Sequence, residues 1–528
     1  MNIKNSSILR AIASCFLCSV FVVLAVWTVS GSQRATGASE QPSGTCDLPP
    51  PDAFQATKQY VETFYPLWFT ATQARESNRL SGPDRVSPVY HSVVMINDDT
   101  LYTSGFLNLN PNDPRGSSVV VLTMPSTITP DNCVADPSVT YSILVLSPYG
   151  DVWPSPSPSP APTGIPHGSP PIPGAAYAIV GPDYNGPIPE GTTEIQVPWN
   201  YPTLIVRTDK YHAFPSASPS ATPDYVNQIN QATVFRLGIR LQTLSDYQEC
   251  PFGGYTEAGG FTDVEPQFPL FAIPFKTVAD GLIAEHPINF LRELQKAVHS
   301  PRTPPNTCAR ELSREFDDLF GDGRWPDNSP FGYGAQAAHA KIVDNYVNGH
   351  QIGANWTHFT NIGDWDPDDL TLSNAIDRSS ITEFCQFCND LRSALYYHAF
   401  RDGAGQPLDG NNRYVLTFPA ATPPTTFNYP GPDTTRFWSL TAYTPQSIEL
   451  VPNVIDRYLV ASYSGAHLNP DGSLSIFIAN EPPAGKPIEN WLPVPKEPFN
   501  VVLRDYGPGE SILPPNPPYT PPPIELLH

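Results

Sequence analysis

Proline is the residue that most restricts what this chain can fold into. The chain has 64 prolines among its 528 residues. Because proline fixes φ and lacks a backbone N–H donor, it interrupts helices and the inner strands of sheets. This density favours short strands joined by turns over long helices. The length allows two or three domains.

Five short β-type segments lie between Arg413 and Tyr506. Each is bounded by Pro, Gly, Asn or Asp, the residues that supply turn geometry. The segments are Tyr414–Phe418, Arg436–Tyr443, Arg457–Ser462, Leu474–Ile478 and Phe499–Arg504. Their spacing predicts an antiparallel sandwich or barrel rather than βαβ units.

An earlier part of the chain has similar segments. They are His91–Ile96, Ser118–Thr123, Thr140–Leu146, Ala175–Val180 and Thr203–Arg207. We expect an N-terminal β domain over residues 52–215, which opens with a helix that ends near Pro66. Partial helical spacing predicts a helical or irregular connecting region over residues 216–384. A C-terminal β domain would then cover 385–510, followed by a proline-rich tail at 511–528.

Motifs in both blocks resemble a known two-domain family. Asn97–Tyr102 and Pro202–Arg207 resemble domain of unknown function 1254, whereas Asp409–Tyr414, Arg436–Leu440 and Asn490–Pro493 resemble domain of unknown function 1214. The resemblance implies jelly-roll-like sandwiches. We therefore expect a mainly β protein with two antiparallel β-sandwich domains and an inserted helical region. The resemblance implies no particular reaction.

The N-terminal 51 residues are typical of an export signal followed by a linker. Lys4 and Arg10 precede an uncharged apolar run over residues 11–29, and small residues follow it. This pattern predicts a secretory signal peptide. Since the run is also long enough to span a bilayer, an uncleaved anchor that attaches the protein to a membrane is the alternative. Both predict a secreted or extracytoplasmic protein.

Cysteine usage agrees with export. Outside the apolar run there are six cysteines, an even number that predicts up to three disulfides. They are Cys46, Cys133, Cys250, Cys308, Cys385 and Cys388. The Cys385-x-x-Cys388 spacing is interpreted as a structural disulfide or as two separately bridged cysteines. Asn355–Thr357 matches an N-glycosylation acceptor, so we expect a glycoprotein if the host glycosylates exported proteins.

Charge and missing motifs exclude several functions. The net charge of −22 would repel nucleic acid and anionic membrane surfaces. The sequence has no Gly-x-Ser-x-Gly, His-Glu-x-x-His, phosphate-binding Gly-x-x-x-x-Gly-Lys or dinucleotide-binding Gly-x-Gly-x-x-Gly motif. The commonest serine hydrolases, zinc proteases and nucleotide enzymes are therefore disfavoured. No cofactor or oligomeric state can be assigned.

A pair of carboxylates gives the first candidate site. Asp98 and Asp99 follow Asn97 at the end of a predicted strand and precede Tyr102. Adjacent carboxylates can share a proton and serve as a general acid or base, or can bind a hard cation together with Asn97. We predict Asp99 and Asp98 as catalytic, with Asn97 and Tyr102 binding substrate. The alternative is a turn whose side chains satisfy local backbone donors.

The C-terminal block supplies further candidate binding residues. They are Arg436, Trp438, Asn453, Arg457 and Trp491. On alternate strand positions, Arg436 and Trp438 would point to one face of a sheet. A guanidinium beside aromatic rings suits an anionic amphiphile or a stacked sugar ring. Alternatively, the aromatic side chains fill the core and Arg457 forms an ion pair at the rim.

These observations favour an exported enzyme of hydrolase or lyase type. We expect it to act on a small or amphiphilic organic substrate in a cleft between two β domains, with Asp99 as general acid or base and Arg436 or Arg457 as anchor. Three alternatives stay open. They are a non-catalytic module that binds carbohydrate or an amphiphile, a structural cell-envelope protein, and a pathway-specific cyclase or isomerase.

Overall fold

The computed structural model describes residues 52–81, 94–125, 139, 141–153, 176–210, 225–249, 274–300, 307–363, 372–421, 429–453 and 455–527. The predicted signal and linker at 1–51 lie outside these residues, as do Cys46, Cys133, Cys250 and the side chain of Cys308. In the described ranges, no helix is both long and apolar enough to cross a membrane.

Two four-stranded sheets form the N-terminal β block. One has the strand order β1-β7-β3-β4 and the other β6-β5-β2-β8. The strands are β1 Thr100–Phe106, β2 Val119–Thr123, β3 Tyr141–Leu146, β4 Val152–Trp153, β5 Ala176–Val180, β6 Thr192–Gln196, β7 Thr203–Asp209 and β8 Arg240–Thr243. Neighbours are antiparallel except β5 and β6. Val120 and Ile179 of one sheet share an apolar core with Ile143 and Val206 of the other.

Two further sheets form the C-terminal block. A six-stranded sheet has the order β14-β13-β17-β11-β10-β9, and a four-stranded sheet has the order β16-β15-β12-β18. The strands are β9 Gln351–Ile352, β10 Trp356–Thr357, β11 Ala394–Ala399, β12 Arg413–Phe418, β13 Thr434–Tyr443, β14 Leu459–Ala461, β15 Leu474–Ala479, β16 Trp491–Pro493, β17 Asn500–Pro508 and β18 Ile524–Leu527. The proline-rich tail thus ends in a strand, β18, that pairs with β12.

Eight helices lie in the described part of the chain. They are α1 Ala53–Ser81, α2 Tyr225–Gly238, α3 Leu244–Glu249, α4 Phe275–Glu285, α5 Pro287–Val298, α6 Thr307–Phe320, α7 Pro330–Asp344 and α8 Leu372–Cys385. The long helix α1 packs against α5, α6, α7 and α8. This helical layer shares its apolar core with the C-terminal sheets.

The helix α1 continues through Pro66, where the sequence predicts its end. Residues on both sides of the proline, Phe64, Tyr65, Leu67 and Trp68, are almost fully buried. Burying each large apolar side chain contributes about 1.5–3 kcal/mol. Together they outweigh the roughly 3 kcal/mol cost of a proline inside a helix. Tertiary packing therefore overrides the local signal.

The prediction of a mainly β protein is wrong, although the helical middle region is confirmed. The part of the protein that the structure describes is mixed α/β, with 32% helix, 28% strand and four sheets. Proline content misled the prediction because a proline at the start of a helix costs no hydrogen bond. Pro287 and Pro330 occupy this position in α5 and α7. Likewise, Val94 and Met95 of the predicted strand His91–Ile96 form a turn, and His91 lies outside the described residues.

The two longest strands of the six-stranded sheet, β13 and β17, pair with each other. The register of this pair places Ser439 opposite Arg504 and Thr441 opposite Val502. Since side chains alternate along a strand, Ser439, Thr441 and Tyr443 share one face, and Arg504 and Tyr506 extend that face onto β17. The turn from Met95 to Asp99, which precedes β1, packs against this face.

The opposite face buries Asp505, and we predict that this carboxyl group reduces stability at neutral pH. Asp505 is fully buried and neither carboxylate oxygen has a hydrogen-bond partner. Burial raises its pKa well above the ordinary value, and the nearby Thr434 hydroxyl offsets this only in part. The folded state therefore keeps a proton that the unfolded chain releases above pH ~4, so folding stability falls as pH rises from that value.

Replacing Asp505 by Asn removes this titration while keeping the size of the side chain. We expect the melting temperature of Asp505→Asn to exceed that of the wild type by more at pH 8 than at pH 4, measured by circular dichroism. Asp183→Asn, at an exposed position, serves as the control and should show no such trend. An Asp505→Asn effect that is equal at both pH values would contradict the prediction.

Candidate functional site

The turn before β1 carries the first group of the site. Asp99 is almost fully buried and accepts three hydrogen bonds. Asn97 Nδ2 donates at 2.6 Å and Ser439 Oγ at 3.0 Å to Oδ2, and the Tyr506 hydroxyl donates at 3.1 Å to Oδ1. Two of these donors come from the C-terminal sheet, more than 300 residues away along the chain. The carboxylate is therefore positioned by tertiary contacts rather than by the turn alone.

The same sheet face also holds the backbone of the turn. Thr441 Oγ1 donates to Asn97 Oδ1 at 2.8 Å, and the Tyr443 hydroxyl donates to the carbonyl of Ile96 at 2.7 Å. Arg504 Nη2 donates to the carbonyl of Met95 at 2.7 Å. Met95 takes a positive φ of 62°, which is rare for a residue other than glycine. These hydrogen bonds keep the backbone in this conformation.

Asp99 has an unusual protonation equilibrium. Burial, opposed by the charge of Arg504 and the hydrogen bond from Ser439, raises the pKa of Asp99 to about 7. Asp209 raises it further and the Tyr506 hydrogen bond lowers it. A carboxyl group that titrates near neutral pH can both accept and donate a proton, as general acid–base catalysis requires. The catalytic role that the sequence suggests for Asp99 stays a prediction.

Asp98 has a different partner from Asp99. Its carboxylate forms an ion pair with Lys210 Nζ at 2.5 Å and points away from the buried network. Asn97 directs Nδ2, not its oxygen, at Asp99. Each carboxylate therefore has its own partner, and the shared proton or shared cation that the sequence suggests at Asn97–Asp99 stays a prediction. Asn97 Oδ1 also accepts the N–H of Asp98 at 3.1 Å, so the predicted turn is present as well.

A small cavity lies beside this network. The open space at this position, which includes solvent at the mouth, is about 300 Å³. The part that can hold the centre of a water molecule is about 20 Å³. That is room for one or two waters or one small chemical group. The lining residues are Val94, Met95, Tyr102, Arg207, Cys385, Gln386, Phe387, Cys388, Asn389, Tyr396, Arg504 and Tyr506. Tyr506 thus connects the cavity to Asp99 through its hydroxyl group.

The segment after α8 forms one wall of the cavity. A disulfide joins Cys385 and Cys388, with 5.5 Å between their Cα atoms. Of the two alternatives for these cysteines, the structure shows the disulfide between them. Phe387, inside the closed loop, has a positive φ of 62°, and its carbonyl accepts a hydrogen bond from Arg207 Nη2 at 2.5 Å. The disulfide therefore fixes an acceptor that positions a buried arginine.

Arg436 and Trp438 do not share a sheet face, contrary to the prediction. Arg436 forms an ion pair with Asp209 of β7, whereas Trp438 packs against Phe418 and donates Nε1 to the carbonyl of Pro430 at 3.0 Å. The reason is a register shift between Thr434 and Phe437, which breaks the alternation of side chains. Neither residue lines the cavity.

Asn453, Arg457 and Trp491 form a separate group. Asn453 Nδ2 donates to the carbonyl of Arg457 at 2.8 Å, and Arg457 Nη1 donates to the carbonyl of Ile488. Trp491 Nε1 donates to the carbonyl of Ala479 at 2.8 Å. These side chains satisfy backbone groups at the edge of the other C-terminal sheet. The structure does not bring them to the cavity.

A second polar cluster lies among the helices. The ligand atoms of Asp280, His339 and Glu383 are within 4.8 Å of one another, a geometry that could hold a metal ion. However, Lys276 Nζ contacts Asp280 Oδ2 at 2.8 Å and also contacts Glu383, so an ammonium group already supplies the positive charge. Burial opposes charging His339, but its contacts with Asp280 and Glu383 raise its pKa to about 9. A protonated imidazole cannot bind a metal.

Sequence reasoning missed most of the cavity. Arg207, Ser439, Tyr396, Arg504 and Tyr506 were not predicted as site residues. A signal was present for two of them, because Arg207 and Arg504 end the apolar segments Thr203–Arg207 and Phe499–Arg504. A charged residue on a buried strand is rare unless it has a partner or a function.

Two family models match the chain. One described as "Protein of unknown function (DUF1254)" matches residues 77–231, and one described as "Protein of unknown function (DUF1214)" matches residues 393–510. Asp99 and Arg207 lie in the first match, and Ser439, Arg504 and Tyr506 lie in the second. The network around Asp99 is therefore built from both matched regions. No curated protein matches the chain.

Similar solved structures include proteins from two bacteria. The VPA0106 protein from Vibrio parahaemolyticus is 17% identical, with a TM-score of 0.52, and the match covers 90% of this chain and 100% of that one. The two proteins share a fold. An uncharacterized protein from Burkholderia cenocepacia is 12% identical, with a TM-score of 0.37 over 90% of this chain and 94% of that one.

We predict that the carboxyl group of Asp99 titrates near pH 7 and that Ser439→Ala raises its pKa further. The Ser439 hydrogen bond favours the ionised form, so its removal should favour the protonated form. Infrared difference spectra between pH 5 and pH 9 should show a protonated carboxyl band that disappears with a midpoint near 7. Asp99→Asn identifies the band by its absence.

Ser475→Ala is the matched control, since Ser475 bonds to Thr417 and Asn469 in the other C-terminal sheet. It should leave the midpoint unchanged. A midpoint near pH 4 in the wild type, or an unaltered midpoint in Ser439→Ala, would show that the buried network does not control Asp99.

Proposed function

Because the chain belongs to the two-domain family that pairs DUF1254 with DUF1214, both of unknown function, we propose a function from the cavity itself. The proposal is an exported enzyme of hydrolase or lyase type that acts on a small organic substrate by proton transfer through Asp99 and Tyr506. One observation carries it. A buried carboxyl group with a pKa of about 7 is connected by a tyrosine hydroxyl to the wall of a cavity.

Proton transfer would use both residues. Burial raises the pKa of Tyr506 well above its ordinary value, so a lone phenolate is unfavourable at neutral pH. In the proposal, Tyr506 passes its proton to ionised Asp99 while it accepts one from the reacting group in the cavity. The tyrosine stays neutral throughout and the carboxyl group stores the proton. Such a relay typically contributes 10²–10⁴-fold to a rate.

The reacting group would be either water or the substrate. The cavity has room for a water molecule, and activation of that water would give hydrolysis. Removal of a proton from the substrate itself would give elimination, isomerisation or cyclisation. The small volume favours a small substrate, or the reactive end of a larger one, over an amphiphile that lies fully inside.

Two further parts of the proposal rest on other features. Export is supported by the apolar run over residues 11–29 and by the Cys385–Cys388 disulfide, since disulfides persist mainly outside the cytoplasm. We also interpret each pair of sheets as a sandwich. In the N-terminal block, both sheets contribute apolar residues to one core.

A carbohydrate- or amphiphile-binding module has less support. Such modules use exposed aromatic rings as stacking surfaces. Trp438 and Trp491 are buried, and their N–H groups are bonded to backbone carbonyls. These two side chains therefore have structural contacts that would have to break before a sugar could stack on them.

We predict that Asp99→Asn and Tyr506→Phe each lower kcat by about 100-fold or more. Wild-type protein would be incubated in D₂O with a panel of small hydroxy acids, esters and amides, and reaction followed by ¹H NMR. Loss of a C–H signal from the substrate or product indicates proton abstraction. Incorporation of ¹⁸O from labelled water indicates hydrolysis.

Asp98→Asn is the matched control, because Asp98 pairs with Lys210 and does not line the cavity. It should retain kcat within a few-fold of the wild type. Melting curves show whether each variant is folded. Turnover that survives both Asp99→Asn and Tyr506→Phe would overturn the proposal, as would compounds that bind to the wild type without any turnover.

A further inference from the structure

Two buried cations face the cavity. The side chains of Arg207 and Arg504 both line it, and they are 5% and 2% exposed. Among the described residues, no carboxylate forms an ion pair with either guanidinium group within 4.0 Å. Asp99 is close enough to influence Arg504 electrostatically, but it is bonded to Asn97, Ser439 and Tyr506 instead. Burying a charge without a counter-ion is costly.

The hydrogen bonds of the two arginines are unequal. Arg207 donates Nη1 to Asn389 Oδ1 at 2.9 Å and Nη2 to the carbonyl of Phe387. Arg504 donates Nη2 to the carbonyl of Met95, whereas its Nη1 is buried and has no partner. Neutral acceptors and the rings of Tyr102, Tyr396 and Tyr443 thus hold the arginines in place without supplying a counter-ion. One strong donor of Arg504 remains to be satisfied.

Tyrosine hydroxyls add further donors to the same lining. The Tyr102 oxygen accepts the N–H of Asn97 at 3.2 Å, and the Tyr396 oxygen accepts Asn389 Nδ2 at 2.8 Å. In both cases the oxygen acts as an acceptor, which leaves the hydroxyl proton to donate elsewhere. The lining contains no Asp or Glu. The cavity is therefore rich in donors and positive charge and poor in acceptors.

We propose that this cavity binds the carboxylate group of a small organic acid, with Arg504 as its main ligand and Arg207 as the second positive charge. A carboxylate presents two acceptor oxygens, matches the planar guanidinium group, and is small enough for the available volume. The inference rests on the proposed function and names its substrate class. Because Tyr506 lines the same cavity, the atoms attached to the bound carboxylate would lie near the proton relay.

The test measures binding without requiring turnover. Acetate and propionate serve as probes, acetamide as the uncharged isostere, and inorganic phosphate and chloride as other anions, all at constant ionic strength. Isothermal titration calorimetry should detect acetate and propionate binding to the full chain and at least 10-fold weaker binding of acetamide. Phosphate that binds more tightly than acetate, or acetamide that binds equally well, would overturn the proposal.

Variants locate the site. Arg504→Lys keeps the charge but removes the fork geometry, and we expect it to weaken acetate binding by about 10-fold or more. Arg115→Gln is the control, since Arg115 is exposed and pairs with Asp113 at the surface. It should bind acetate as the wild type does. Equal acetate affinity in Arg504→Lys and wild type would contradict the assignment.

A second measurement uses the wild type, in case Arg504→Lys does not fold. Wild-type protein labelled with ¹⁵N-arginine allows the guanidinium groups to be followed by NMR. Acetate should shift the signals of the buried Arg504 and Arg207 more than acetamide does, while the signal of the exposed Arg115 stays the same in both. Signals of Arg504 and Arg207 that acetate shifts no more than acetamide does would count against the proposal.

The two proposals can fail separately. Asp99→Asn and Tyr506→Phe retain both arginines, so they should still bind acetate. Acetate binding without turnover of any compound would remove the enzymatic function and leave the carboxylate site. Turnover that depends on Asp99 in a protein that does not bind acetate would remove the carboxylate site and leave the enzymatic function.

Discussion

The contact on which the site depends is a polar one. The turn from Met95 to Asp99 is buried against the face of the six-stranded sheet, and it must satisfy its backbone carbonyls and the Asp99 carboxylate there. Tyr443, Thr441 and Arg504 supply the donors that it needs. Buried polar groups are costly unless they are paired, so this contact is specific in a way that an apolar interface is not. It also brings residues of both family-matched regions into one network.

The same contact explains why a carboxyl group can have a neutral-range pKa at this position. Removing Asp99 from water favours its protonated form, while three hydrogen bonds and the nearby Arg504 favour its ionised form. Burial outweighs the opposing contacts, and the resulting pKa of Asp99 is about 7. The pKa of a carboxylate on an exposed turn would not be raised by burial. The pKa of one in direct contact with a guanidinium group would be lowered below the neutral range. Asp98, the neighbouring carboxylate, pairs with Lys210 instead.

The sequence predicts local features better than contacts between distant segments. The predicted strand segments Thr203–Arg207 and Phe499–Arg504 correspond to β7 and β17. Their β-branched residues, bounded by turn residues, predict a strand without reference to distant contacts. The passage of α1 through Pro66 and the register shift before Phe437 depend on packing and could not be inferred. Asp99 stands out because it belongs to a pair of carboxylates at the end of a predicted strand. Its partner Tyr506 is 407 positions away, and no local pattern links them.

The protein has two buried clusters of charged side chains, and they differ in whether positive and negative charges balance. In the helical layer, Lys276 contacts Asp280 and Glu383, and the Tyr65 hydroxyl also donates to Glu383. Positive and negative charges are matched there, and a matched network is sufficient to explain its own presence. At the cavity, Arg207 and Arg504 bond to neutral acceptors and lie over tyrosine rings, and no carboxylate of the described residues forms an ion pair with them. Since a buried cation without a counter-ion lowers stability, its presence requires a different explanation. The proposed anionic ligand would supply the missing negative charge. Because the cavity lining has no acidic side chain to do so, the cavity can select an anion.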